Sequence, residues 1–540
     1  MQRIASRVDR NTAGFRTNAT AYGSLIETLD ARLRWAIEGG EGRARSIERH
    51  LGRGKLMVRD RIAAVTDHDT PFLEFSTLSG FGQYDDSAPG AGIVTGIGVV
   101  HGVPYVIVAN DATVKGGSLL PVSIKKHVRA QQIADENDLG VIYLVDSGGA
   151  FLPLQDEIFP DKDHFGGSFF RQARLSARGL PQLSVVLGGC TAGGAYVPAL
   201  SDEVIMVQGI GQIFLGGPPI VKAALGEIVA AEALGGAEMH TRVSGVSDYM
   251  TSSEHEAYAK LREICETTNR PTITDRRGWL DWQEPEPPAY PADDLYGIIS
   301  ADDRIPFAAV EIIARLVDGS RFADFKPEWG SSIKTGFARI WGHLVGIIAN
   351  DGIIFSDSAL KATHFIELCE QRRIPLVFLQ NTSGYMVGMD AEAGGIAKNG
   401  AKMVAAVANA TVPRYTVLTG GAYGAGNYGM CGRGFQPRFL FAWPNSRIAT
   451  MAADTAETVL VDIRMGGLKA GQTTDEDVAA LRAEIRHQYE EQSDPYYATS
   501  RIWDDGLIDP VHTRDALGLC LALAARQPEP ARGRGLVYRM

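Results

Sequence analysis

The sequence predicts an α/β protein in which one structural unit occurs twice. The segment TGIGVVHGVPYVIVAND at 95–111 returns 240 residues later as TGFARIWGHLVGIIAND at 335–351. After both copies, apolar strand-like runs alternate with segments of helical periodicity, a pattern typical of a mostly parallel, buried sheet. Glycine makes up 61 of the 540 residues, above its usual share of about 7%. We therefore expect many places where backbone closely approaches backbone or ligand.

The first elements of each unit are two short apolar strands joined by a tight turn. The turns contain His101-Gly102 in the first copy and Gly342-His343 in the second, and glycine is typical of such hairpins. Helix-compatible sequence follows in both copies, as PVSIKKHVRAQQIADENDLG and SALKATHFIELCEQRRIP. Each half therefore begins with the order strand, strand, helix.

Two further strands in each half end in glycine-rich turns. The four turns are DSGGA (146–150), GGCTAGGAY (188–196), NTSGY (381–385) and GGAYGAGNY (420–428). Ser147 and Ser383 are 236 residues apart, and Gly194 and Gly426 are 232 apart. A spacing that shrinks from 240 to 232 is what loop deletions would produce, so we predict a ββαβαβ unit repeated once.

The domain division follows from the repeat and from a proline-rich stretch. We predict a charged helical arm over 1–65, a first domain over 66–277 and a second over 298–527. The acidic, proline-rich segment 278–297 cannot form a helix and is expected to be a stiff linker. Residues 528–540 are expected to form a weakly structured tail or to dock on another subunit.

Composition and charge exclude several classes of protein. The net charge of −11 and a pI of about 5.6 argue against a general nucleic-acid binder. The five cysteines are scattered without CxxC spacing, so neither disulfides nor a metal site is expected. No apolar run approaches the roughly 18–20 residues of a membrane helix. The first residues lack the apolar core of a secretory signal, and we expect a cytoplasmic location.

The glycine-rich turns are the candidate sites of chemistry. Each is followed by helix-compatible sequence, and the beginning of a helix offers free N–H groups to an oxyanion or phosphate. Tight strand-to-helix packing would also explain any one of these turns. Four of them at equivalent places in a duplicated unit favour two related anion-stabilising sites.

Other catalytic motifs are missing from the sequence. It contains no GxxxxGK[ST] loop, no GxGxxG fingerprint between a strand and a helix, no GxSxG elbow and no HExxH pair. His240 and His364 are interpreted as structural histidines. What remains is catalysis by backbone donors, each of which typically contributes a factor of about 10²–10³ in rate. This suits an enolate next to a thioester.

A set of longer motifs resembles a known family. The motifs include VKGGSLLPVSIKKHVRAQQIA (114–134), FPDKDHFG (159–166), CTAGGAYVPA (190–199), EAGGIAKNGAKMV (392–404) and GAGNYGMCGR (424–433). They are similar to the carboxyltransferase β-subunit of the biotin-dependent acyl-CoA carboxylases, over nearly all of residues 40–525. Within that family they resemble 3-methylcrotonyl-CoA carboxylase most, with geranyl-CoA carboxylase as the nearest rival.

The resemblance implies two tandem ClpP/crotonase-like domains and two oxyanion holes. The site is implied to lie where the N-domain of one subunit faces the C-domain of another. The amides of Gly193 and Gly194 would hold the acyl-CoA thioester oxygen, and those of Ala425 and Gly426 the ureido oxygen of biotin. Carboxybiotin would lose CO₂, the biotin anion would remove the γ-proton, and the carbanion would capture CO₂. The neighbouring turn residues are also assigned to these sites: Gly148, Gly149 and Ala150 to the acyl-CoA, and Ser383, Gly384 and Gly424 to biotin.

An acidic chain that binds anionic CoA needs local basic residues. Lys115, Lys125, Lys126 and Arg129 lie near the first turn in sequence and are candidates for phosphate contacts; solvated helix-face charge is the alternative. The basic segment ARSIERHLGRGK at 44–55 has the same two interpretations.

The resemblance also implies a partner. The sequence contains no AMKM-type biotin attachment site and no ATP-binding loop, so a separate α-subunit with biotin carboxylase and biotin carrier functions is expected. In this family the β-subunits often form a hexamer within an assembly of six α and six β chains.

The acyl group is the least determined part of the prediction. Asn399 replaces a histidine that is usual in methylcrotonyl-type sequences, and Ala452 and Ala453 replace two glycines. Geranyl-CoA, propionyl-CoA or another acyl-CoA is an alternative to 3-methylcrotonyl-CoA, a substrate of leucine catabolism. A decarboxylase or transcarboxylase subunit with the same fold is another alternative, and a non-catalytic scaffold that binds acyl-CoA or the α-subunit is a third.

Overall fold

The computed structural model describes residues 1–39, 41–300, 305–466 and 474–533. They form two compact units. The N-terminal unit consists of residues 31–275 with 500–502, and the C-terminal unit of residues 1–30, 276–499 and 503 onward. The domain bounds expected from sequence, at 65, 277, 297 and 527, stay a prediction.

The described strands are short, and most are apolar. They are β1 (Gln2–Arg3), β2 (Leu73–Phe75), β3 (Ile93–Val100), β4 (Val103–Asn110), β5 (Ser118–Leu119), β6 (Gly140–Ser147), β7 (Gly149–Ala150), β8 (Gln182–Thr191), β9 (Glu203–Val207), β10 (Gln212–Phe214), β11 (Tyr249–Thr251), β12 (Arg321–Asp324), β13 (Ile333–Ile340), β14 (His343–Asn350), β15 (Gly352–Ile354), β16 (Leu376–Tyr385), β17 (Arg414–Tyr423), β18 (Phe439–Ala442) and β19 (Arg447–Ala449).

Helices alternate with these strands in both units. They are α1 (Ala13–Glu38), α2 (Ala44–Leu51), α3 (Val58–Val65), α4 (Pro121–Asn137), α5 (Phe165–Ala177), α6 (Tyr196–Ala199), α7 (Pro218–Leu225), α8 (Ala231–Gly235), α9 (Ala237–Met239), α10 (Glu254–Thr267), α11 (Asp294–Ile298), α12 (Ala309–Leu316), α13 (Ser356–Arg372), α14 (Met389–Ala393), α15 (Ile396–Asn409), α16 (Gly424–Gly429), α17 (Ala453–Gly466), α18 (Asp475–Ser493), α19 (Pro495–Ser500) and α20 (Thr513–Ala525).

The sheet of the N-terminal unit has the order β11-β9-β8-β6-β4-β3-β2, with β10 beside β8. Strands β3 and β4 form an antiparallel hairpin, whereas β4, β6, β8 and β9 are parallel neighbours. Apolar residues of α3 and α10 pack together with buried strand residues, and residues of α4 and α5 form a second cluster. The sheet is buried because helices cover it, which is why its strands are near-continuous apolar runs.

The sheet of the C-terminal unit repeats this arrangement. Its order is β1-β12-β13-β14-β16-β17-β18, with β15 beside β16 and β19 beside β17. Strands β13 and β14 form the antiparallel hairpin, and β14, β16, β17 and β18 run parallel. Helices α13 and α15 contribute to its main apolar cluster. The predicted α/β class and its ββαβαβ order are confirmed.

The duplication extends to single hydrogen bonds. In the N-terminal unit the carboxylate of Asp67 accepts a bond from the amide of Gly102, at 2.7 Å. In the C-terminal unit Asp318 accepts the matching bond from Gly342, also at 2.7 Å. Each carboxylate satisfies a hairpin amide that the strand pairing leaves free.

Among the described residues, no helix is long and apolar enough to cross a lipid bilayer. The cytoplasmic location expected from sequence stays a prediction.

Candidate functional site

The first pair of glycine-rich turns meets at the carboxyl ends of β6 and β8. The register of these parallel strands pairs Ser147 with Cys190. The chain then enters a short helical segment through Gly193 and Gly194, so the amides at its beginning lack intrahelical acceptors. Gly193 is partly exposed, whereas Gly194 is buried.

Gly194 lies against the neighbouring turn. A Cβ atom there would be 3.3 Å from Ser147 Oγ and 3.7 Å from Gly149 Cα. Ser147 Oγ accepts a hydrogen bond from the amide of Gly149 at 3.2 Å and donates one to the carbonyl of Gly117 at 3.3 Å. The hydroxyl of Ser147 thus holds the backbone against which Gly194 packs.

The second pair of turns has the same construction at the ends of β16 and β17. The register pairs Thr382 with Ala422. Thr382 Oγ1 accepts a hydrogen bond from the amide of Gly384 at 3.1 Å. A Cβ atom on Gly426 would be 2.8 Å from Thr382 Oγ1 and 3.0 Å from Gly384 Cα. Ala425 is exposed and Gly426 buried at the beginning of α16.

The strand register shifts the predicted correspondence between the two halves by one residue at this turn. Ser147 corresponds to Thr382, and the exposed Gly148 corresponds to the exposed Ser383, so the spacing here is 235 rather than 236. Sequence identity alone predicts that Ser147 corresponds to Ser383. The strand register, the hydroxyl bonds and the burial pattern all agree on the new pairing.

A buried charged cluster supports the first turn. Asp146 is 2.9 Å from Lys55 Nζ and 3.2 Å from Arg61 Nη1, and these side chains are at most 8% exposed. Gly188 makes room for the carboxylate, because a Cβ there would be 1.8 Å from Asp146 Oδ1. In the second half, a Cβ on Gly420 would be 2.4 Å from the Oδ1 atom of the uncharged Asn381.

Arg61 contacts two buried carboxylates in this cluster, one of which is Asp146. Its guanidinium also contacts Glu254, at 2.8 Å. We expect Arg61→Met to reduce the free energy of unfolding by about 3–5 kcal/mol, because it leaves Glu254 buried without its cation. Calorimetry of the variant should show a lower Tm. Arg61→Met with Glu254→Leu is the control and should recover much of the loss; a Tm for Arg61→Met equal to the wild type would contradict the prediction.

A cleft of about 300 Å³ opens beside the first turn. Its lining includes Ser147 and Gly148 from the turn, with Arg49 and Arg53 from α2 and the loop after it. Lys55, already paired with Asp146, contributes a third cation. The structure therefore brings the basic segment 44–55 to the first turn. The sequence indicates this segment as a candidate for phosphate contacts but does not link Arg49 and Arg53 to the first turn, because they lie far from it along the chain.

The other predicted basic residues lie in different environments. Lys126 is 1% exposed, and its ammonium donates to the carbonyls of Gly90 and Ile93 at 3.1 and 2.8 Å. Burial lowers its pKa to about 7. Arg129 is 5% exposed, with Glu136 3.4 Å away. Both side chains lie in the interior and not at the cleft, which argues against their predicted phosphate contacts. Lys115 is exposed next to the cleft-lining Gly116.

The second turn has a more apolar neighbourhood. The segment after Gly384 exposes Met386, Val387 and Met389, at 37%, 75% and 86%. Ser383 is also exposed. The five cysteines are buried and free, and the described parts of the chain contain no group of three or more His, Cys, Asp or Glu that could hold a metal ion.

Comparison with known families decides the class of this protein. The carboxyl transferase domain matches residues 49–537, which is most of the chain. The chain belongs to the carboxyl transferase family. This carboxyl transferase is 53% identical over 526 residues to the biotin-dependent 3-methylcrotonyl-coenzyme A carboxylase beta1 subunit of Mycobacterium tuberculosis, covering 97% of this chain and 98% of that protein. It is 50% identical over 544 residues to the mitochondrial methylcrotonoyl-CoA carboxylase beta chain of Dictyostelium discoideum, covering 99% and 90%.

A solved structure agrees with the sequence comparison. The β subunit of Pseudomonas aeruginosa geranyl-CoA carboxylase superposes on this carboxyl transferase with a TM-score of 0.89 and 39% identity, covering 100% of both chains. The predicted family, the crotonase-like fold class and the enzyme class, a carboxyltransferase subunit of biotin-dependent acyl-CoA carboxylases, are confirmed. The roles of individual turn residues stay predictions.

Proposed function

We propose that this chain transfers a carboxyl group from carboxybiotin, carried by a partner subunit, to 3-methylcrotonyl-CoA. The observation that carries the proposal is the pair of equivalent glycine turns, each placing buried and exposed backbone amides at the beginning of a short helix. Amides fixed in this way stabilise a developing oxyanion without a side-chain base.

The first turn is proposed to hold the acyl-CoA. The amides of Gly193 and Gly194 would donate to the thioester oxygen, which gains negative charge when the γ-proton leaves. The adjoining cleft contributes Arg49 and Arg53, and guanidinium groups suit phosphate recognition. A polyanionic ligand therefore fits this turn better than the second one, where the neighbouring segment exposes the apolar side chains of Met386, Val387 and Met389.

The second turn is proposed to receive biotin. Ala425 and Gly426 would donate to the ureido oxygen, with Ser383, Gly384 and Gly424 around it. The exposed Met386 and Met389 after this turn suit the apolar ring and chain of biotin. Carboxybiotin supplies CO₂ and, as it releases CO₂, a ureido nitrogen basic enough to take the γ-proton.

The chain's own part is to hold both oxygens and to keep the reacting groups aligned. Preorganised amides do not reorient during the reaction, which is why they lower the barrier more than water does. Alignment of two bound reactants adds a further entropic advantage.

The proposed acyl group follows from the relatives. Methylcrotonyl-CoA carboxylase β-chains are 48–53% identical to this chain, whereas the geranyl-CoA carboxylase β subunit is 39% identical. The unusual Asn399 is accommodated on α15, where its amide donates to Ser356 Oγ at 2.6 Å and accepts from Lys402 at 3.0 Å. Ala452 and Ala453 lie at the beginning of α17.

A substrate panel tests the proposal. The chain, purified with its biotin-bearing partner, should carboxylate 3-methylcrotonyl-CoA with a higher kcat/KM than geranyl-, propionyl- or acetyl-CoA. A preference for geranyl-CoA would reassign the substrate. Stable binding of the partner without turnover of any acyl-CoA would favour a scaffold.

We further propose that the β chains form a hexamer with six α chains in the cytoplasm. The naming of the relatives as β subunits of biotin-dependent carboxylases supports a multi-subunit assembly. Analytical ultracentrifugation of the co-purified complex would give its mass.

The basic cleft leads to a specific kinetic prediction. Arg49→Glu and Arg53→Glu should each raise the KM for acyl-CoA about 10-fold or more with little change in kcat, because a charge-assisted bond contributes about 1.5–3 kcal/mol to binding. Arg45→Glu is the control, since Arg45 is an exposed residue of the same helix outside the cleft lining. Equal KM values for all three variants would remove the cleft from CoA recognition.

A further inference from the structure

His127 is a buried histidine next to the first turn that neither the motif comparison nor the proposed mechanism uses. It lies on α4 and is 6% exposed. Its ring stacks on Tyr143, with centroids 5.6 Å apart. Its Nε2 atom has no hydrogen-bond partner within the described part of the chain.

A small cavity joins His127 to the turn. Its volume is about 10 Å³, and His127, Ser147 and Gly194 all line it. The remaining lining is mostly apolar, from Val108, Leu119, Val145 and Val197, with Asn110 and Tyr143. A cavity of this size is near the lower limit for one water molecule, which needs two or more polar partners.

The imidazole is neutral at physiological pH. Burial lowers the pKa of His127 to about 4, so one ring nitrogen is an acceptor. An unpaired acceptor in the interior is unfavourable, because it has lost its hydrogen bond to water without gaining another. Ser147 Oγ, which already binds Gly117 and Gly149, has a second lone pair and can accept one more hydrogen bond.

We propose that His127 is a positioning residue for the first turn, acting on Ser147 through one buried water. The water donates to His127 Nε2 and to Ser147 Oγ. It thereby fixes the hydroxyl that holds Gly149 and against which Gly194 packs. The inference rests on the proposed function, because it assigns the Gly194 amide to the thioester oxygen.

In the second half, the buried polar side chain near the turn comes from a strand and not from a helix. At the spacing of 235, His127 corresponds to Ala362 and Val145 to Gln380. Gln380 is fully buried, and neither atom of its side-chain amide has a partner among the described residues. Each half thus places a buried polar side chain with an unpartnered atom near its turn, His127 from the helix in the first half and Gln380 from the strand in the second.

The test compares variants of the full chain with its biotin-bearing partner. His127→Leu keeps the bulk but removes the acceptor, and we expect kcat to fall about 10–100-fold with an unchanged KM for acyl-CoA, since small misplacements of catalytic groups have effects of this size. His127→Gln restores an acceptor and should recover part of kcat. His343→Leu is the matched control: His343 is 3% exposed with an unpartnered Nδ1, but it begins β14 at the strand end opposite the turns.

A double-mutant cycle separates positioning from general destabilisation. If His127 acts through Ser147, His127→Leu should add little to the loss of kcat in Ser147→Ala. Full additivity, or a kcat loss matched by His343→Leu, would overturn the proposal.

A high-resolution structure gives a readout that does not depend on activity. An ordered water between His127 Nε2 and Ser147 Oγ is expected in the wild type and should be missing in His127→Leu. A dry cavity in the wild type would overturn the inference. Absence of turnover by the wild type with every acyl-CoA would instead overturn the proposed function.

Discussion

Gly426→Val should reduce the kcat of carboxyl transfer by about 10²–10³-fold or more, the effect expected when an oxyanion donor is lost. Even a single methyl group does not fit, because a Cβ atom there would be 2.8 Å from Thr382 Oγ1 and 3.0 Å from the backbone of Gly384. The turn must shift, and the amides of Ala425 and Gly426 shift with it. Gly426→Ala should therefore already be severely impaired.

The measurement is the steady-state rate with 3-methylcrotonyl-CoA, together with the mass of the complex. Gly434→Ala is the matched control, because Gly434 is exposed in the same unit and a Cβ atom there meets no atom within 4 Å. Normal turnover by Gly426→Val in an intact complex would eliminate this turn as a donor site.

Gly194→Val should cause a loss of similar size in the first turn, but with a different dependence on side-chain volume. A Cβ atom at Gly194 would be 3.3 Å from Ser147 Oγ and 3.7 Å from Gly149 Cα. A hydroxyl can give way by a few tenths of an ångström, so Gly194→Ala should keep more activity than Gly426→Ala. The branched valine cannot be accommodated in this way, and we expect at least about a 10²-fold drop in kcat.

The loss of kcat caused by alanine, compared with the loss caused by valine, distinguishes the two turns. Gly166→Val is the control for the N-terminal unit, since a Cβ atom at Gly166 meets nothing within 4 Å. Equal tolerance of alanine at Gly194 and Gly426 would show that the packing distances do not govern the activity.

The sequence was sufficient to predict the duplicated unit because its strands are fully buried. Burial on both faces produces long apolar runs, and similar glycine-rich turns follow these runs in both halves of the sequence. It was not sufficient to align Ser147 with Thr382. Ser147 and Thr382 are different residue types, but each accepts a hydrogen bond from the glycine amide two residues later. Their equivalence becomes visible only in the strand register.

The basic residues illustrate a second limit of sequence reasoning. Lys126 lies close to the first turn in sequence, yet the face of α4 that carries it points into the unit. Arg49 and Arg53 lie almost 100 residues before Gly148 but line the same cleft. Which face of a helix is buried depends on its tertiary neighbours, and a single sequence does not contain that information.

Part of the high glycine content is explained by close packing between neighbouring strands. At Gly188 and Gly420 the missing side chain admits Asp146 and Asn381, at distances that exclude even a methyl group. Each requirement arises between residues 42 or 39 positions apart in sequence, on different strands, so it becomes visible only when the strands are paired.

The most direct test of the central claim is a structure of the complex with a stable acyl-CoA analogue. We predict that the thioester oxygen lies about 2.7–3.1 Å from the amide nitrogens of Gly193 and Gly194, the range of an oxyanion-hole contact. An oxygen bound instead at the Ala425–Gly426 turn, or held by side chains alone, would contradict the assignment.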